Sequence, residues 1–287
     1  MDVATKTKTH EILDKYDLLA KKSFGQNFLI DNNIVRNIVK EAQVDKDTCV
    51  IEIGPGIGGL TYELAKHAKK VVAIEIDNRM KPVLEDTLSE YDNVDIVFDD
   101  FLKIDLVSLV NEHFDKDDQI VVVANLPYYI TTAILIKLFE HQSQINLIRI
   151  SAMMQREVGL RLSAKKDTKD YNSLTILTQY YSKPKLAIKV PKSVFIPAPK
   201  VDSVVVSFEL IKDQEKPVNE KLFFTLLRLL FKQRRKTILN NLNEYYHDKE
   251  KTTKVLNALE LDTKLRAENL TLDDIIEMAN YIDREES

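Results

Sequence analysis

The chain has 287 residues, 44% apolar and 30% charged, with a formal net charge of −4 at pH 7. That length allows a large core and about two domains, and no apolar run reaches the roughly 20 residues a membrane helix needs. The single cysteine, Cys49, excludes disulfides, and the five histidines stand apart without ligand spacing, so no metal site is expected.

Residues 1–24 form a mixed-charge arm without the apolar core of a secretory signal, and a cytoplasmic location follows as an expectation. Next, DNNIVRNIVKEA sets Ile34, Val35, Ile38 and Val39 on one helical stripe behind a capping Asp31. Strand and helix patterns then alternate. CVIEIG (49–54) reads as a strand, GGLTYELAKHA (58–68) as a helix, VVAIEI (71–76) as a strand, NRMKPVLEDTLSE (78–90) as a helix and VDIVF (94–98) as a strand. IVVVAN (120–125), TTAILIKLFEH (131–141) and INLIRISAMM (145–154) continue as strand, helix and strand. This alternation predicts βαβ units and an α/β fold with a parallel sheet covered on both faces.

Further on, segments near 174–190 and 201–210 read as strands joined by the proline-punctuated PKSVFIPAPK, which predicts an antiparallel edge. Beyond residue 213 strands cease. KLFFTLLRLLFKQRRKTILNNL has helical periodicity, and the stretch from Thr271 to Asp274 resembles a capping box that starts a last helix. The expected organisation is an α/β domain over 1–212, a linker KDQEKP (212–217) and a small all-helical domain over 213–287.

Charge is segregated along the chain. Residues 237–287 carry 6 basic and 12 acidic side chains, whereas residues 1–236 carry 35 and 33. Five lysines and no acid fall within 183–200, and residues 232–236 read KQRRK. Such clusters are solvated faces or nucleic-acid footprints, and they do not decide between the two unaided.

The segment EIGPGIGGLT follows a strand and opens a helix, so backbone passes close to a ligand while helix N–H groups point outward. Gly54, Gly56 and Gly59 satisfy G-x-G-x-x-G, a pattern that suits a dinucleotide or another adenosine-containing cofactor. Glu75 ends the next strand 21 residues after Gly54, where a carboxylate accepts hydrogen bonds from ribose hydroxyls. Asp99 and Asp100 close the third strand, where a carboxylate meets an adenine amino group.

The fourth strand end, Asn125-Leu126-Pro127-Tyr128, separates the candidates. Pro127 ends strand pairing and holds its predecessor extended, which leaves Asn125 at the carboxyl end of its strand. An exocyclic amine is a poor nucleophile because its lone pair is delocalised into the ring. Two acceptors, the Asn125 side-chain oxygen and the Leu126 or Pro127 carbonyl, would hold both its hydrogens and favour a more tetrahedral nitrogen facing a methyl sulfonium. Tyr128 would stack on the base, as enzymes acting on flipped bases require.

KKSFGQNFLID, EIGPGIGGLT, VVAIEID, FDDFLKID, VVANLPYYITT, VFIPAPKVDS, FKQRRKTI and LRAENLT occur in this order. Over roughly residues 18–282 they resemble the bacterial small-subunit (16S) ribosomal RNA adenine-N6,N6 dimethyltransferases. The resemblance implies a class I (Rossmann-like) methyltransferase sheet with a helical carboxyl-terminal domain, and S-adenosylmethionine as cofactor. It further implies dimethylation of two adjacent adenosines in the 3′-terminal hairpin of 16S rRNA, in the small subunit or its precursor, and a role in late subunit biogenesis. Carried over by position, cofactor contacts fall on Asn27, Leu29, Gly54, Gly56, Glu75, Asp100 and Asn125, and catalysis on Asn125, Leu126, Pro127 and Tyr128. Phe195 becomes a second base-stacking ring or an anchor for its loop, and Arg234 and Arg235 become candidates for RNA phosphates. A monomer without membrane association is expected, with the acidic tail facing solvent or a basic ribosomal protein.

Three rival readings remain at this point. The first is the same chemistry on 23S rRNA, as in the macrolide-resistance methyltransferases that the front half also resembles. The others are a nicotinamide-dependent oxidoreductase and a non-catalytic ribosome-assembly or transcription factor. Leu126 with FKQRRK and LRAENLT favours the small-subunit enzyme, and an intact glycine loop and NLPY favour activity.

Overall fold

The computed structural model describes residues 3–19, 26–212 and 216–287. Helix α1 (Lys6–Lys15), inside the expected arm, is capped by the Thr5 side chain and followed by β1 (Phe28–Leu29) and α2 (Asn32–Glu41). The βαβ units follow as β2 (Cys49–Ile53), α3 (Gly59–His67), β3 (Lys70–Glu75), α4 (Lys81–Thr87), β4 (Val94–Phe98), α5 (Leu106–His113), β5 (Ile120–Asn125), α6 (Thr131–His141) and β6 (Leu147–Gln155). The chain then forms α7 (Arg156–Leu162), α8 (Ser173–Tyr181), β7 (Ser182–Val190), β8 (Phe195–Ile196) and β9 (Ser203–Leu210). The last elements are α9 (Glu220–Lys232), α10 (Ile238–Tyr246), α11 (Lys249–Ala258) and α12 (Leu272–Glu286).

The seven-stranded sheet has the order β4-β3-β2-β5-β6-β9-β7. Strands β2 to β6 run parallel, and β9 lies antiparallel to β6 as the sequence predicts. β2 is buried at every residue, including the one acid Glu52, and β5 is buried from Ile120 to Ala124, as expected of central parallel strands covered on both faces. The expected stripe of α2 supplies Val35, Ile38 and Val39 to a core shared with Leu60 and Leu64 of α3 and Val50, Val71, Val121 and Val123 of the sheet. Asp31 caps α2 through the amides of Asn33 and Ile34, as expected. Because β2 has β3 on one side and β5 on the other, strand order reverses between β2 and β5, and a crevice opens at their carboxyl ends. A separate two-stranded ribbon, β1 with β8, pairs Phe28 with Ile196 and Leu29 with Phe195.

Two expectations need correction. Of the segment near 174–190 that read as a strand, only 182–190 forms one (β7), whereas Ser173–Tyr181 forms α8, started by a capping box between Asn172 and Thr175. Ile176 and Tyr180 of this helix pack with Phe223, Leu226 and Leu230 in one core, so tertiary burial overrides local propensity. The division at 212/213 changes accordingly. One compact unit comprises Met1–Gly159 and Lys183–Leu210, and the other comprises Leu160–Ser182 and Ile211–Ser287. The helical pattern after residue 219 is also interrupted between α9 and α10, where Thr237 caps the second helix. The Thr271–Asp274 capping box of α12 forms as predicted. Among the described residues no helix is long and apolar enough to cross a membrane.

Candidate functional site

A cleft open to solvent lies at the carboxyl ends of β2, β3 and β5. It gathers Asn27, Leu29, Gly54, Gly56, Glu75, Asn125 and Pro127 of the sequence candidates, together with Gln26, Glu52 and Met153. Residue 25 and the rest of KKSFG lie outside the described residues.

The glycine loop turns through positive φ at Gly54 (72°) and Gly56 (57°). At Gly56 an added Cβ would come within 3.1 Å of the Phe28 ring, so only glycine suits both its dihedral and its space. The Gly56 amide donates to Glu75 Oε2 at 3.0 Å, and the Asp77 amide to Glu75 Oε1 at 2.8 Å. Burial pushes the Glu75 carboxyl above its usual range, against the pull of these two amides.

Asp77 holds the cleft rim together, a role the sequence reading missed. Its carboxylate accepts from Gln26 Nε2 at 3.0 Å and from Arg79 Nη2 at 2.6 Å, which ties the segment before β1 to the end of β3. Burial opposes charge on Asp77, but the Arg79 and Gln26 side chains outweigh it and the carboxyl lies below its usual range.

Strand β5 ends at Asn125, as Pro127 predicts. Asn125 Nδ2 donates to the Asn27 carbonyl at 3.0 Å, which leaves Oδ1 to accept. The Leu126 amide donates to the Met153 carbonyl at 3.0 Å, and its side chain is 2% exposed. The Pro127 carbonyl already accepts from Thr131 Oγ1 at 3.0 Å and from the Ile130 amide at 3.2 Å. Of the two carbonyls the sequence left open, Leu126 is therefore the one without a donor among the described residues. Tyr128 is half-buried, its hydroxyl 2.9 Å from Ser203 Oγ at the start of β9, a tether with no sequence signal.

Other candidates fall elsewhere. Asp100 lies beyond the end of β4, whose Phe98 pairs with Glu75, and does not line the cleft; its Oδ1 accepts from the Leu102 amide at 3.0 Å. The turn after it is fastened by Lys137 Nζ, which donates to the carbonyls of Phe101 and Ile104. Of the two roles open to Phe195, burial supports the loop anchor: its side chain is 3% exposed within the sheet core. Arg234 and Arg235 are both exposed; Arg234 Nη2 is engaged with the Lys169 carbonyl at 2.5 Å and Glu268 at 3.5 Å. Cys49 is buried as expected, its thiol donating to Asp118 at 3.2 Å, and burial pushes that thiol up to about 12. Among the described residues no group of three or more histidine, cysteine or acidic side chains is placed to hold a metal.

The cleft suits an adenosine cofactor with a cationic end. A strand-end carboxylate, a glycine loop that brings bare backbone to the cleft, and a buried Glu52 oxygen without a hydrogen-bond partner meet there.

The family described as ribosomal RNA adenine dimethylase matches residues 18–284. The ribosomal RNA small subunit methyltransferase A of Anoxybacillus flavithermus is 50% identical over 94% of this chain and 93% of its own length. Among solved structures, a dimethyladenosine transferase from Plasmodium falciparum is 28% identical with a TM-score of 0.75, covering 90% of this chain and 98% of that one. The 23S rRNA methyltransferase ErmE is 25% identical with a TM-score of 0.69, covering 90% of this chain and 100% of that one.

Proposed function

The chain belongs to the ribosomal RNA adenine dimethylase family, and from that premise we propose that it dimethylates N6 of two adjacent adenosines in the 3′-terminal hairpin loop of 16S rRNA. It is an S-adenosylmethionine-dependent methyltransferase. The substrate we assign is the small subunit or its late precursor, met by a monomer in the cytoplasm. Higher identity to small-subunit relatives than to the 23S enzyme supports this target.

The observation that carries the reading is the pair of acceptors at the end of β5. Asn125 Oδ1 and the Leu126 carbonyl, fixed by bonds to Asn27 and Met153, take the two hydrogens of an adenine amine. Held so, the nitrogen lone pair is drawn out of ring conjugation without any strong base, and the proton leaves after transfer. Once one methyl is present, a single hydrogen remains and one acceptor suffices. The Tyr128 ring, tethered to Ser203, stacks on the flipped base. Glu75, Asn27 and the glycine loop hold the cofactor, which supplies an electrophilic methyl group when bound. Asp100, two residues beyond the end of β4 and outside the cleft lining, is assigned to the adenine moiety by the family resemblance alone.

The test is methyl transfer from labelled S-adenosylmethionine to unmethylated small subunits, large subunits and naked RNA, followed by nucleoside analysis. Dimethyladenosine confined to small subunits is the expected result. Label on 23S rRNA would reassign the substrate, and no transfer would return the chain to an assembly factor.

A further inference from the structure

Asn125 and Pro127 line the cleft, whereas the two tyrosines that follow, Tyr128 and Tyr129, do not. Tyr128 is half-buried and held to Ser203 by its hydroxyl, but Tyr129 is 62% exposed. Among the phenylalanine and tyrosine side chains of the described residues, Tyr129 is the only exposed one. Within those residues its hydroxyl has no hydrogen-bond partner and its ring has no aromatic or cationic neighbour.

A lone exposed apolar side chain needs no explanation. Six large apolar side chains are exposed among the described residues, however, and two of them, Tyr129 and Val201 (45%), lie within two positions of the Tyr128–Ser203 tether, one on each arm. The turn that carries Tyr129 is also fixed. The Pro127 carbonyl accepts from the Ile130 amide at 3.2 Å and from Thr131 Oγ1 at 3.0 Å, so the ring is presented on ordered backbone and little freedom is lost when something stacks on it.

The substrate assigned above supplies the occupant. Tyr129 is one residue, about 3.8 Å along the backbone, from the ring assigned to the flipped adenine. Flipping takes a base out of its stack and leaves a face of its neighbour bare. Because the two target adenosines are adjacent, that neighbour is itself a purine. An aromatic ring replaces the lost stack through the π face that every base carries.

We propose that Tyr129 binds the adenosine of the target pair that is not in the pocket, stacking on the face that flipping uncovers. Tyr128 takes the reacting base and Tyr129 its neighbour. Tyr129 does not touch the reacting amine, so it acts on substrate binding and not on the transfer step. The proposal rests on the assignment of the 16S hairpin as substrate.

The test is methyl transfer from labelled S-adenosylmethionine to unmethylated small subunits, with KM and kcat separated, for the wild type, Tyr129→Phe, Tyr129→Leu and Tyr129→Ala. Tyr129→Phe keeps the ring and should match the wild type. Tyr129→Leu and Tyr129→Ala should raise KM for the subunit about tenfold, with kcat and calorimetric S-adenosylmethionine affinity changed less than about twofold. Leucine keeps apolar bulk without a π face, so a wild-type KM in Tyr129→Leu would overturn stacking. Subunits in which uridine replaces one adenosine of the pair complete a double-mutant cycle, read at the remaining adenosine. The smaller uracil ring should shrink the Tyr129→Ala effect to about threefold or less for at least one of the two adenosines. An effect of the same size with and without uridine at both positions refutes the proposal. Melting temperatures of the variants should equal that of the wild type, and a fall in both Tyr129→Leu and Tyr129→Ala would mean the ring packs on the fold, which also refutes it. If the wild type transfers no methyl group to small subunits, the substrate assignment falls and the proposal with it. Wild-type transfer with unchanged KM in all variants removes the proposal alone.

Discussion

Asn125 and Asn27, 98 positions apart, are joined by a 3.0 Å hydrogen bond from a side-chain amide to a main-chain carbonyl. The bond fixes the orientation of the amide, with Nδ2 toward Asn27 and Oδ1 left to accept, because the carbonyl can only accept. Asn125→Asp would set an oxygen against that carbonyl and should lose turnover about 100-fold or more while weakening cofactor binding. Asn125→Ala should lose turnover comparably, with a smaller change in cofactor affinity. Single-turnover methyl transfer and calorimetry distinguish these, and near-normal turnover of Asn125→Asp would remove the amine-positioning role.

The Tyr128 hydroxyl and Ser203 form one tether, so their variants should not add. Tyr128→Phe and Ser203→Ala are each expected to slow transfer by about tenfold, and the double variant by no more than either. Additive losses in kcat would show that the ring is positioned independently of β9.

Lys137 fastens the turn after Asp100 through the carbonyls of Phe101 and Ile104, and burial holds its ammonium below the usual lysine range. Lys137→Met should free that turn. The expected result is a weaker cofactor affinity by about tenfold. Asp100→Ala combined with Lys137→Met should cost little beyond Asp100→Ala alone, and a fully additive loss would separate the two residues.

Arg234 and Arg235 should behave differently despite being neighbours. Arg234 braces Lys169 and Glu268, so Arg234→Ala should lower the melting temperature as well as RNA affinity. Arg235 is exposed, and Arg235→Ala should leave stability unchanged while reducing the salt slope of RNA binding by about 1. An unaltered slope would remove Arg235 from the RNA interface.

Glu52 also marks the pH dependence of stability. Its unfolded carboxyl loses a proton near 4.5, whereas the folded one holds it up to about 8. Between those values the folded state binds the extra proton, so this group lowers stability progressively as pH rises and adds nothing further above the folded value. Glu52→Gln should accordingly raise the melting temperature little at pH 5 and most at pH 8. An equal gain at both values would mean the carboxyl is not neutral in the empty cleft.

Strand and helix periods alone determined the parallel core, the glycine loop and the strand ends at Glu75 and Asn125, because each depends on spacing within a short segment and on dihedrals that glycine or proline dictates. The cap of α2 by Asp31 and the box that starts α12 were equally local. Only the tertiary structure chose the Leu126 carbonyl over that of Pro127, since the choice depends on Thr131 and Ile130 occupying the latter. It also turned 173–181 into a helix, set Phe195 in the core, and revealed Asp77, Ser203 and Glu52. Each of those outcomes is set by what a distant segment places beside the residue, and hydrogen-bond partners or burial of that kind leave no periodic mark in the chain.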